Sequence, residues 1–201
     1  MRQIEGIILA AGESRRMGYP KPLLRIGGRT FIEQIAETML AVVPRLVIVL
    51  GAHSDRILAA IPRDPRIAIV QNPNYSHGQL SSLKVGLNIV EPDAAGALVH
   101  LGDHPLVCAE TFRAVVDSYK QTNKPIVIAR HEGHRGHPVI FDRTLFAELL
   151  AAPEEEGARH VVNADESRVD YVDLDDPGIN LDLDTPFDLA CAGLPAPPKA
   201  P

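Results

Sequence analysis

Cysteine is scarce in this chain of 201 residues, with only Cys108 and Cys191 present. They lie far apart and outside any CxxC or disulfide pattern, so they read as reduced structural thiols with no chemistry assigned. Long hydrophobic runs are missing too. No apolar stretch reaches the ~20 residues of a spanning helix, and no membrane partner is expected. The opening residues, Met1-Arg2-Gln3-Ile4-Glu5, lead straight into a strand pattern without a signal-peptide h-region or cleavage site, so the expected location is the cytoplasm. Positive charge is also in deficit. The 20 Lys and Arg against 26 Asp and Glu leave a net charge of -6, which argues against nucleic acid or an anionic membrane as partner. No internal repeat is present.

What is there has the composition of a globular protein, 45% hydrophobic and 23% charged, and the length suits one large α/β domain better than two small ones. Apolar, β-branched runs at 4–9, 46–50, 67–70, 97–101, 125–129, 138–141 and 169–174 predict strands. Several are apolar throughout, as central strands covered on both faces are. Helical patterns lie between them at 31–41, 54–60, 80–90, 109–121, 143–151, 158–163 and 185–191. This alternation predicts an α/β domain on a mostly parallel sheet over residues 1–193. Residues 194–201, Leu-Pro-Ala-Pro-Pro-Lys-Ala-Pro, are too rich in proline for a packed element and are expected to form a disordered tail.

In such a sheet the ligand crevice lies outside the carboxyl ends of the strands, where segments 9–21, 72–82, 102–105 and 181–186 arrive. The first holds Gly12 and Gly18, whose missing Cβ atoms let the backbone turn and bring N–H groups to an anion. Arg15, Arg16 and Lys21 add positive charge in an otherwise acidic chain, and a nucleotide is the natural ligand. The loop is not a P-loop, because five residues separate its glycines and Tyr19-Pro20 follow. It is not a dinucleotide fingerprint either, since Pro20 and Pro22 oppose a helix starting there.

Asp103, in Gly-Asp-His-Pro after the strand at 97–101, offers a hard oxygen ligand for Mg²⁺ beside a phosphate loop; alone, it reads equally as an Asx turn or N-cap. Of Asp182 and Asp184 one is expected as a ligand, and the other as a cap for the helix near Thr185. The polar loop 72–83 ends in Ser81 and Ser82, which either cap a helix or meet a nucleobase, with Gly78 allowing close approach. His131-Glu-Gly-His-Arg-Gly-His-Pro138 fails the HExxH pattern at Arg135 and reads as a solvated turn rather than a soft-metal site. Glu154, Glu155 and Glu156 read as a solvated loop, and His53, His77, His100 and His160 have no visible partner. No Ser-His-Asp order or activated cysteine accompanies the loop, so direct displacement is favoured over covalent catalysis.

The string Leu-Ala-Ala-Gly-Glu-Ser-Arg-Arg-Met-Gly at 9–18 followed by Lys21-Pro-Leu-Leu, together with Gly102-Asp-His-Pro and Asp182-Leu-Asp-Thr-Pro-Phe-Asp188, resembles the molybdenum-cofactor nucleotidyltransferases of the MobA-like group. The resemblance spans 7–188 and implies a three-layer, Rossmann-like fold of the GT-A-like type. It implies Arg16, Lys21 and Asp103 as catalytic residues. Leu9, Ala10, Ala11, Gly12, Ser14, Arg16, Lys21, Gly78, Ser81 and Ser82 would bind the nucleotide. Arg135, His137, Asp182 and Asp184 would meet the acceptor, and Asp103 with Asp182 would hold Mg²⁺. His104 stands where the family more often has glutamine, Tyr75 where it has tryptophan and Gln79 where it has methionine.

The implied reaction joins a nucleotide to the phosphate of molybdopterin and releases pyrophosphate, with transient contact to a molybdoenzyme or its chaperone. Leu9-Ala10-Ala11-Gly12 matches the cytidylyl-transferring branch, against LAGG in the guanylyl-transferring one, so CTP is expected over GTP, the Ala11 methyl crowding a purine. The alternatives are transfer to another phosphorylated acceptor (sugar, polyol or phospholactate) and a non-catalytic nucleotide- or cofactor-binding protein.

Overall fold

The computed structural model describes residues 3–198. In chain order the elements are β1 (Ile4–Ala10), a short hairpin of β2 (Arg25–Ile26) and β3 (Arg29–Thr30), α1 (Phe31–Leu40), β4 (Leu46–Leu50), α2 (Ser54–Leu58), β5 (Ile67–Gln71), α3 (Gln79–Leu87) and β6 (Gly96–Leu101). There follow α4 (Ala109–Gln121), β7 (Ile126–His131), β8 (His134–Asp142), α5 (Phe146–Ala151), α6 (Arg159–Ala164), β9 (Val169–Asp173) and α7 (Pro186–Cys191). Seven strands form one sheet in the order β5-β4-β1-β6-β8-β7-β9. All neighbours are parallel except β8, which runs against both β6 and β7. Among the described residues no helix is long and apolar enough to cross a membrane.

Strand β1 is buried at every position, and its pleat explains why. Ile4, Ile8 and Ala10 pack with α1 and α4 on one face, while Ile7 and Leu9 pack with α3, α5 and α6 on the other. In β4, Leu46, Ile48 and Leu50 likewise join the first layer and Val47 and Val49 the second. The result is the α/β domain with a mostly parallel sheet that the alternating runs predict, in the three layers that the resemblance implies. The one acid buried in β1, Glu5, is paired with Arg45 at 2.6 Å, as a charge removed from water must be.

The strongest local signals hold their places. Thr30 and Glu33 form a capping box that starts α1, with the Glu33 carboxylate accepting from Thr30 N at 2.7 Å. The solvated turn expected at 131–138 is corrected: only Glu132 and Gly133 turn, both at positive φ, and 134–142 is strand. Two left-handed residues between paired His131 and His134 make the tightest hairpin, so Arg135 lies opposite Arg130. At the far end, the Leu194 N–H donates to Leu189 O at 2.8 Å and its side chain packs beside Leu183 and Leu189. Residues 195–198 have no helix or strand, and 199–201 of the expected tail lie outside the described residues.

Candidate active site

The tips of β1, β4 and β6 meet because two residues lack side chains. A Cβ on Gly102 would stand 3.0 Å from Ala10 Cβ, and one on Gly51 would stand 2.8 Å from Ala11 Cβ and 2.6 Å from Tyr75 Cβ. Gly102 N therefore reaches Leu9 O at 2.9 Å, and Ala52 N reaches Ala11 O at 3.0 Å. The Ala11 methyl packs over Gly51, and Ala11 also stands in the wall of the smaller cleft described below. Beyond it, Ser14 takes positive φ, its carbonyl accepts from Met17 N and Gly18 N, and its hydroxyl accepts from Lys21 N at 3.0 Å. The loop is thus folded on itself. Arg15 pairs with Glu13 at its exposed edge, while Lys21 is pinned at the start of a short 3₁₀ turn.

Lys21 Nζ contacts Asp103 Oδ2 and donates to Asp184 Oδ1 at 2.7 Å; Arg16 Nη2 lies 2.7 Å from Asp184 Oδ2. Burial depresses the Lys21 pKa, but the Asp103 charge and hydrogen bonds to both carboxylates more than offset this and raise it above the usual lysine value. The Lys21 hydrogen bond in turn holds the Asp184 carboxyl below its ordinary range. Asp182, which the sequence reading pairs with Asp103, is 72% exposed and lies 3.1 Å from His104 Nε2 instead. The carboxylate beside Asp103 is that of Asp184. Residues two apart in a regular strand would share a face. Here 181–184 pairs with no strand, and the Asp188 carboxylate accepts from Asp184 N and Thr185 N, turning the chain into α7 directly after Asp184. Asp188 is the capping-box partner of Thr185.

Two clefts adjoin at Leu9, Gln79 and Leu101. The smaller, of about 240 Å³, is walled by Leu9, Ala10, Ala11, Gly12, Ser14, Lys21, Gly78, Ser82 and Asp103, with Pro22, Tyr75 and Gln79 added. Arg16 stands outside this wall on Asp184. Ser81 does not line it: its hydroxyl donates to Gly78 O and accepts from Asn72 Nδ2, so it braces the loop. Neither serine caps α3. Asn72, 2% exposed, also donates to Ser82 Oγ and accepts from Asn74 N, which makes it the hub of this loop.

The larger cleft, of about 780 Å³, has a floor of Leu80, Leu83, Val99, Ile128, Val139 and Phe141. His104, Arg135, His137, Asn180 and Asp182 supply its polar groups, and residues 154–159 its rim. Arg135 is held by Asn163 at 2.9 Å, and Asn180 donates to the His131 and His134 carbonyls. Burial, with His104 beside it, pushes the His137 pKa down to about 4. His137 is neutral near pH 7, and with its Nδ1 turned to Val99 O its Nε2 is left an acceptor.

His100, missed by the sequence reading, lies fully buried behind these two, with the three rings 6.2 to 6.3 Å apart. Its Nε2 meets His104 O at 2.9 Å, and burial holds its pKa well below the usual histidine value. A lone histidine inside the apolar run 97–101 was the only sequence signal for it. Among the described residues no three His, Cys, Asp or Glu side chains are placed to hold a metal ion together.

The sequence model of the MobA-like NTP transferase domain matches residues 6–169. The chain is 27% identical to the molybdenum cofactor cytidylyltransferase of Escherichia coli, over 96% of both chains. It is 33% identical to nicotine blue oxidoreductase of Paenarthrobacter nicotinovorans, over 90% of this chain and 92% of that one. Rv0371c of Mycobacterium tuberculosis superposes with a TM-score of 0.82 at 31% identity, and its complex with manganese with 0.78 at 30%, each covering 94% of this chain and 97% of that one. The matched segment runs from the first loop through Asp103 and both strands of the β7–β8 hairpin, and the chain belongs to the MobA-like NTP transferase family.

Proposed function

We propose that this protein transfers CMP from CTP to the phosphate of a molybdopterin-type acceptor in the cytoplasm, releasing pyrophosphate. The observation that carries this reading is the cluster of Arg16, Lys21, Asp103 and Asp184 beside two adjoining clefts, one walled by a folded-back glycine loop and one floored by apolar side chains. The loop takes the triphosphate, whose charge Lys21 and Arg16 meet. The apolar floor takes a flat ring system, and His137, neutral and accepting at Nε2, reads a ring N–H. Arg135 faces the acceptor's negative charge.

With both substrates held, an acceptor phosphate oxygen attacks the α-phosphorus in line and the bond to the β-phosphate breaks. Positioning and charge stabilisation suffice for such a step, and an ionised phosphate needs no general base. Asp103 and Asp184 fit a divalent cation, because these hard carboxylates already share one positive charge in Lys21. Mg²⁺ there would neutralise phosphate charge; the manganese complex of Rv0371c supports a divalent ion in this family. The choice of CTP is supported by the Leu9-Ala10-Ala11-Gly12 resemblance and by the E. coli relative's name. Contact with a molybdoenzyme or its chaperone would follow from the same product.

A second reading, redox chemistry on a flat heteroaromatic compound, is favoured by the 33% identity to nicotine blue oxidoreductase. Hydride transfer has no use for two carboxylates gathered on Lys21, which is why nucleotidyl transfer is preferred. The test is incubation with Mg²⁺, each of the four triphosphates, and molybdopterin, a sugar phosphate, a polyol phosphate or phospholactate, following pyrophosphate. Release with CTP and molybdopterin is expected. Release only with another acceptor would overturn the acceptor assignment, and no release with any pair would overturn transfer itself.

A further inference from the structure

We propose that Lys21 is the resident occupant of the divalent-cation site, and that the triphosphate opens the site by drawing this lysine away. The inference rests on the reading that Asp103 and Asp184 hold a divalent ion. In the structure the Lys21 ammonium bridges Asp103 Oδ2 and Asp184 Oδ1, and Arg16 takes Asp184 Oδ2. Three of the four carboxylate oxygens therefore already carry a cationic partner.

Charge counting gives the consequence. Two carboxylates, one ammonium and one guanidinium sum to zero, so a divalent ion arriving alone meets a neutral cluster and must displace a partner that is only 13% exposed. A triphosphate changes this. It offers Lys21 an anion of higher charge in the adjoining cleft, which Lys21 itself lines. The backbone of Lys21 is fixed by its N–H to Ser14 Oγ and by prolines on both sides, so the exchange is a swing of the side chain and leaves the loop in place. Once the ammonium has moved, the two carboxylates carry uncompensated charge and face the phosphates. Ion and nucleotide then bind cooperatively, and Lys21 is the element that couples them.

The test titrates the protein with Mn²⁺ alone, reading the free ion by electron paramagnetic resonance, and repeats this with CTP and no acceptor, correcting for Mn²⁺ held by free CTP. Wild type should bind Mn²⁺ weakly alone and at least about tenfold more tightly with CTP, an ordinary size for coupling between two sites. Lys21→Met, which keeps most of the stem but removes the charge, should bind Mn²⁺ alone at least about tenfold more tightly than wild type. Adding Asp184→Asn to it should remove that gain.

Mn²⁺ binding by wild type that is equally tight with and without CTP would overturn the proposal while leaving the two-carboxylate site standing. So would a folded Lys21→Met protein no tighter than wild type. If wild type with CTP retains no Mn²⁺ beyond that on free CTP, both the proposal and the ion site fall. The wild-type arm decides the matter even if Lys21→Met does not fold.

Discussion

The two clefts share a wall and are built by different means. The smaller one is made of backbone: three strand tips brought together by Gly51 and Gly102, and a loop whose carbonyls and N–H groups close on themselves. The larger one is made of side chains from α3, β6, β7, β8, α6 and the 179–182 segment, with the neutral His137 imidazole above an apolar floor. Backbone turns suit what all triphosphates have in common, whereas side chains suit what distinguishes one acceptor from another. Under the proposed function, the difference would give reaction type to one cleft and acceptor choice to the other.

The sharpest break falls at the charged cluster. Asp103→Ala should reduce turnover by about 10³-fold or more while the melting temperature changes little, since the carboxylate sits in a half-buried turn and its loss opens no core cavity. Retained Mg²⁺-dependent activity would contradict this. Lys21→Ala should lower kcat by ~10²–10³ and raise the KM for CTP by less, if the ammonium meets charge developing on the leaving pyrophosphate. A raised KM with unchanged kcat would reduce Lys21 to ground-state binding.

Smaller effects should separate the clefts. Gly51→Val places a branched side chain where Ala11 and Tyr75 already stand, so the loop must shift. The KM for CTP should rise roughly tenfold, about 1.4 kcal/mol, with the acceptor KM unchanged. His137→Gln should do the reverse, raising the acceptor KM and sparing that for CTP. Its pH signature is the smallest effect.

The His137 pKa falls from 6.5 unfolded to about 4 folded, so the unfolded chain binds the extra proton between those values. Stability contributed by the neutral ring is present above about pH 6.5 and is lost as pH falls toward 4. The wild-type melting temperature should drop across that window, and by less in His137→Gln. Equal drops would remove His137 as a cause.

Legibility in the sequence follows the same divide. The seven strands of the main sheet and the seven helices could be placed from local periodicity, most plainly β4, whose unbroken apolar run is covered on both faces, whereas residues 134–137 of β8 read as a turn. The β2–β3 hairpin, with two-residue strands, was too short to register. The glycine loop and Asp103 were legible because neighbouring residues build them. Asp184 is not distinguished from Asp182 by local sequence, because the turn that aims it depends on Asp188 and the Lys21 contact lies 163 positions away. His100 and the Asn72 hub stayed hidden for a related reason: their partners are set by how α3, β6 and β8 pack, which no local pattern encodes.

The account stands most directly on the fate of the α-phosphorus. Incubation of the protein with CTP labelled at that phosphorus, Mg²⁺ and molybdopterin should move the label into a pterin–cytosine dinucleotide, with one pyrophosphate released per label transferred. Label remaining in CTP while the same preparation reduces a flat heteroaromatic compound without any triphosphate would contradict it.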